Sequence, residues 1–171
     1  MLKAAESAIQ ELGANCSAAC GAPLDSNDLI SEKIFRTFAL PRITKIDRWL
    51  MDRGVRRFSL HLCGNQMRNL EAWAEALWPD RTIISMGSEM DMVQVAEAFG
   101  HKHVTAGNVS TKVLAFGRFD EVYNESCRCI HRCKDLPEGF ILMPACETPN
   151  VTPPVNLHAM VKAAREAGRY R

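Results

Sequence analysis

Apolar positions along this chain follow two alternating rhythms. Residues 2–12 repeat at helical spacing and stop at Gly13, and residues 14–18 (ANCSA) then read as a short strand. Residues 31–54 are helical, with Ser31 placed to cap the start and Pro41 expected to break or kink the run. The alternation continues with strands at 56–63 (RRFSLHLC), 81–86 (RTIISM), 103–108 (HVTAGN) and 139–144 (GFILMP). Helices are expected at 67–78, 89–100, 118–136 and 153–168, the last opening on proline and ending at Gly168.

Five strands, each followed by a helical segment, predict a parallel sheet in an α/β fold. The strand cores are apolar on both faces, as a sheet covered on both sides requires. Two architectures fit: an open doubly wound sheet, or part of a (β/α)8 barrel. A complete barrel takes about 250 residues, so a barrel chain of this length supplies roughly strands four to eight. Residues 1–171 are expected to form one domain. In either architecture a ligand site belongs at the carboxyl ends of the strands.

Charge changes the picture mainly by exclusion. Lys and Arg number 21 against 20 acidic residues, for a net charge of +1. That balance gives no electrostatic footprint for nucleic acid or a membrane surface. No apolar run reaches the roughly 20 residues of a membrane-spanning helix. The amino-terminal residues lack the apolar core of a secretory signal. A soluble cytoplasmic protein is expected.

Seven cysteines without a secretory signal do not suggest a disulfide framework. His61 and Cys63 are the informative pair. Two positions apart on a strand, their side chains point the same way, at the end where chemistry is expected. Cys146 follows the last strand. Together the three would supply the nitrogen and sulfur ligands of a zinc site with one position open. Two thiolates neutralise the zinc charge, which suits binding a substrate thiol better than making hydroxide from water. The competing reading is a buried Cys63 beside a hydrogen-bonded His61. The strands carrying Cys63 and Cys146 are three places apart, so the loop bearing Cys146 must bend in over the mouth. A second cluster, Cys127, Cys129, His131 and Cys133, lies in a helical pattern. There i and i+2 diverge, so no four-ligand site forms without unwinding the helix.

HLCGN at His61–Asn65, TAGNV at Thr105–Val109 and the run Gly139–Gly168, together with LISEKIFRTFALPRI at Leu29–Ile43, resemble the uroporphyrinogen decarboxylase superfamily. The resemblance spans nearly the whole chain but corresponds to the carboxyl-terminal half of a family member. It implies part of a TIM barrel. Of the two branches of the family, the cobamide-dependent methyltransferases are more similar than the metal-free porphyrinogen decarboxylases. The functional arginines and aspartate of the latter lie mainly in the half not represented here. The methyltransferase branch implies Zn2+ held at His61, Cys63 and Cys146. It also implies a corrinoid (methylcobamide) carried by a partner corrinoid protein, and a thiol substrate such as coenzyme M. Asn65, Asn108 and Glu147 adjoin the ligands or end a strand and are expected to line the substrate pocket, with Glu147 a candidate fourth ligand. Half a barrel leaves two sheet edges unpaired. The chain is accordingly expected to be a fragment, to close against an N-terminal half-barrel chain, or to self-associate. A porphyrinogen decarboxylase relative and a non-catalytic half-barrel interaction module are the alternatives.

Overall fold

In the computed structural model, which describes residues 2–76 and 78–170, five strands form one sheet in the order β1-β2-β3-β4-β5. The strands are β1 (Ser17–Gly21), β2 (Arg57–Leu62), β3 (Ile83–Met86), β4 (Val104–Val109) and β5 (Phe140–Pro144). Every neighbouring pair is parallel. A doubly wound sheet reverses its order at a switch point. This sheet runs in simple sequence, which is the barrel order.

The helices are α1 (Leu2–Leu12), α2 (Glu32–Ile34), α3 (Leu40–Asp52), α4 (Leu70–Glu75), α5 (Met92–Ala98), α6 (Thr111–Phe116), α7 (Phe119–Cys133) and α8 (Pro154–Ala167). Each expected helix is present, though α4 is shorter than its pattern because the chain turns extended at Ala76. The end of that pattern includes Leu77, which lies outside the described residues. Among them, no helix is long and apolar enough to cross a membrane.

Ser31 caps α2 as its position suggests, its hydroxyl accepting from the Ile34 N–H at 3.3 Å. Pro41 does not break the run. A π-helical segment, Phe35–Ala39, joins α2 to α3, and Pro41 sits in the first turn of α3, where a missing N–H is tolerated. Helix α6 is an addition to the pattern. Ser110 caps it by accepting from Val113 N. It ends at Gly117, where a Cβ would stand 2.5 Å from the Val113 carbonyl oxygen. Six residues are too few to establish a helical period.

Burial divides the sheet into two unlike faces. On β2, Phe58, Leu60 and Leu62 are buried while Ser59 and His61 are half-buried. The buried set meets Phe35, Trp73, Val95 and Phe99 in the main core. An aromatic chain runs through that core: Phe35 to Trp73 at 4.8 Å, Trp73 to Trp78 at 5.8 Å, and Trp78 to Phe99 at 6.5 Å between ring centroids. A smaller core joins α7 and α8 to the end of β4 through Val109, Leu114, Val122, Ala159 and Met160. The opposite face carries small or polar side chains in register: Ala19 beside Ser59, Gly21 beside His61, His61 beside Ser85, and Ser85 beside Ala106. This is the inner wall of the barrel portion, and it positions the site.

Candidate metal centre

His61 is the penultimate residue of β2 and Cys63 follows the strand directly. The loop after β1 holds this end in place at two points. Ala22 N donates to the His61 carbonyl at 2.9 Å, and Asn27 N donates to the Asn65 carbonyl at 2.8 Å. Gly64 turns the chain with φ of +67°, and a Cβ there would lie 2.7 Å from Ser26 Oγ, so both conformation and space call for glycine. Gln66 is fully buried. Its amide nitrogen donates to the Cys63 carbonyl at 2.9 Å, and its oxygen accepts from Asn69 Nδ2 and Trp73 Nε1, each at 3.0 Å. The backbone that presents Cys63 is thus tied directly to the core. The sequence signal for this clamp was a polar residue beside HLCGN, ahead of a helical run, which is too common to single out.

Cys146 arrives from the other side. Beyond β5, Ala145 is buried and its N–H donates to the Val109 carbonyl at 2.8 Å, extending the β4–β5 pairing by one bond. Cys146 then turns over the mouth, and its Sγ lies 3.4 Å from Cys63 Sγ. One ligand atom each from His61, Cys63 and Cys146 falls within 4.8 Å of the others. Among the described residues they are the one group of three or more His, Cys, Asp or Glu gathered so closely. The bend demanded by the separation of β2 and β5 is therefore present.

His61 Nδ1 is 3.0 Å from Ser85 Oγ, while its Nε2 is buried and has no hydrogen-bond partner. An imidazole with one orphaned nitrogen, gathered with two close sulfurs, is the donor set that zinc takes. Burial pushes the Cys63 thiol up to about 11, with the hydrogen bond to Cys146 contributing in the same direction. Burial lowers the His61 pKa, which favours the neutral ring, and the Glu147 carboxylate partly opposes it. A cavity of about 410 Å3 opens on the inner wall here, lined in part by Ser59, His61, Ser85, Met143, Cys146 and Glu147.

The other expected pocket residues are placed differently. Asn65 Oδ1 accepts from the Met67 N–H in a local turn. The Asn108 amide donates to the Gly87 and Met90 carbonyls at 3.0 and 2.8 Å, bracing the loop after β3. Both side chains hold backbone, and Glu147 alone of the three lines the cavity. The α7 cluster forms no four-ligand group: Cys129 and Cys133, one turn apart, line the same cavity, and among the described residues no third ligand gathers with them. Cys133 is buried in the core, and Cys129 Sγ approaches Asn108 Oδ1 at 3.9 Å.

The uroporphyrinogen decarboxylase (URO-D) family model matches residues 2–167. The chain belongs to this family. A search of the curated proteins finds no match. Among solved structures, a methyltransferase from Methanosarcina mazei superposes with a TM-score of 0.75 at 26% identity. The match covers 97% of this chain and 48% of that one, so the chain spans about half the length of the solved relative. The family assignment and this superposition make the five-stranded sheet a portion of a URO-D-like barrel, related to a methyltransferase as well as to the decarboxylase for which the family is named.

Proposed function

We propose that this chain is the zinc-bearing portion of a methyltransferase that passes a methyl group from a methylated corrinoid, carried by a partner protein, to the sulfur of a small thiol. The observation that carries the reading is the convergence of His61, Cys63 and Cys146 within 4.8 Å, with the His61 Nε2 atom buried and unpartnered. The superposition on a methyltransferase supports the reaction class.

His61, Cys63 and Cys146 would hold the metal, leaving one position for substrate. Zinc so held neutralises the charge of its two thiolates and lowers the pKa of a thiol that joins them. The chain's own residues do the rest. Gln66 fixes the Cys63 backbone, and the Ala145 bond to β4 fixes the approach of Cys146. The small inner-wall residues, Ala19, Gly21, Ser59 and Ser85, leave space beside the ligands. Glu147 stands at the rim of that cavity, exposed, where it faces the incoming thiol or completes the ligand set before one arrives. The unpaired edges of β1 and β5 are where the remaining barrel strands would join, from an N-terminal half-barrel chain or a second copy.

Purified chain should contain about one zinc by mass spectrometry, and Cys63→Ser or Cys146→Ser should reduce that by at least about tenfold, since each removes one of three ligands. Zinc-loaded protein should then demethylate methylcobalamin in the presence of 2-mercaptoethanesulfonate, followed by the change in the corrinoid spectrum. Full zinc occupancy without thiol-dependent transfer, even with the rest of the barrel supplied, would favour an interaction module. Porphyrinogen binding by zinc-free protein would favour the decarboxylase alternative.

A further inference from the structure

His61 and Ser85 are register partners on β2 and β3, and Ser85 is buried. Ser85 Oγ makes two close approaches: 3.0 Å to His61 Nδ1 and 3.2 Å to the Leu60 carbonyl oxygen. A hydroxyl has one proton to give and two lone pairs to receive with. The Leu60 carbonyl can only accept, so a hydroxyl proton directed there leaves Oγ an acceptor toward the ring. Nδ1 must then carry the imidazole proton. In the opposite tautomer both Nδ1 and the carbonyl compete for the single hydroxyl proton, one of the two bonds is lost, and an Nε2–H donor is buried without an acceptor. The arrangement that makes both bonds leaves Nε2 a bare, buried lone pair on the ring that gathers with Cys63 and Cys146.

We propose that Ser85 is a positioning residue that locks His61 as the Nδ1–H tautomer and so keeps Nε2 ready for a metal. A metal-ligating histidine ordinarily donates its second ring N–H to a fixed acceptor, and loss of that acceptor weakens metal binding. Here the acceptor is a hydroxyl whose orientation is set by the strand it sits beside, so the sheet register itself selects the ring tautomer. The role in metal binding rests on the zinc reading above; the tautomer does not.

The test uses the full chain, metal-free and labelled with 15N-histidine, at pH 8. Two-bond proton–nitrogen correlation spectra distinguish the two ring nitrogens, and loss of one set of signals in His61→Gln assigns the residue. Wild type should show His61 protonated on Nδ1. Ser85→Ala should shift the population toward Nε2–H and weaken zinc, measured by competition with a chromophoric chelator, by about 10- to 100-fold. Ser85→Thr, which keeps the hydroxyl, should restore most of that loss. An Nε2–H ring in wild type overturns the proposal without any variant, even if Ser85→Ala fails to fold. A folded Ser85→Ala with unchanged tautomer or unchanged zinc affinity overturns it as well. Wild type that shows the Ser85-dependent tautomer but binds no zinc would instead remove the metal reading and leave the lock standing, so the two failures are separable.

Discussion

At the scale of single residues, the site depends on backbone presentation as much as on its ligands. Gly64→Ala places a side chain at φ of +67° and 2.7 Å from Ser26 Oγ. Left-handed conformation alone costs about 1–2 kcal/mol, and the contact adds to it. A second change, Ser26→Gly, removes the contact together with the bonds that Ser26 Oγ makes to Asp28 and to the Asn65 carbonyl. In a double-mutant cycle followed by urea denaturation, Gly64→Ala should therefore cost less in the Ser26→Gly background than in wild type, with the conformational part of the loss remaining. Gln66→Leu leaves the Trp73 indole N–H and the Cys63 carbonyl without their partner. Each buried orphan costs about 1–3 kcal/mol, so a drop of a few kcal/mol in unfolding free energy is expected. His61 and Cys63 were legible because strand spacing aligns residues two apart. Cys146 was legible in position, but its proximity was not, because a loop's path over the mouth follows from the Ala145 bond to β4 and not from any local pattern. Ser85 and Gln66 could not be read at all. A serine in a strand and a glutamine before a helix acquire meaning only through the neighbours that register and packing give them.

Among the elements, α3 and the chain after α4 are coupled through a charge. Asp47 is buried on α3 and accepts from Trp78 Nε1 at 3.0 Å. Burial raises its pKa above the ordinary value, and the indole bond offsets that in part. The folded state therefore binds the Asp47 proton more tightly than the unfolded chain does. The resulting stabilisation is fully present below the unfolded carboxylate value, about 3.9, and fades as pH rises through the raised folded value. Asp47→Asn keeps an oxygen for Trp78 and has no charge to bury. Chemical denaturation should show the variant gaining on wild type at pH 7.5, with the gain shrinking toward zero near pH 3.5. The elements were the most legible level of this chain, because alternating strand and helix periods extend over many residues. The exceptions are physical. Helix α6 is too short to show a period, Pro41 was absorbed by a π-helical turn whose wider spacing no residue pattern announces, and the first strand, expected at 14–18, begins at Ser17 after a 3-10 turn at Gly13–Asn15.

For the molecule as a whole, the sequential order of the sheet decided between the two architectures that the pattern left open. Strand order depends on which neighbours pair, a long-range fact that five similar β–α units do not encode individually. Both outer strands, β1 and β5, present an unpaired edge, and Ile141 on β5 remains 41% exposed. Such edges recruit other strands. Purified chain should therefore show a mass that rises with concentration in light scattering. Ser17→Lys, at an exposed position on β1 outside the cavity lining, should suppress the rise if β1 is the edge in use.

The Gln66 amide joins two objects that are usually separate, the carbonyl behind one sulfur of the centre and the nitrogen of a buried indole ring. Any strain that a bound ion puts on the Cys63 backbone is passed through one side chain to a chromophore. The protein thus carries its own optical gauge: titration with zinc should alter tryptophan emission, and Trp73→Phe should silence that response while Trp49→Phe leaves it intact.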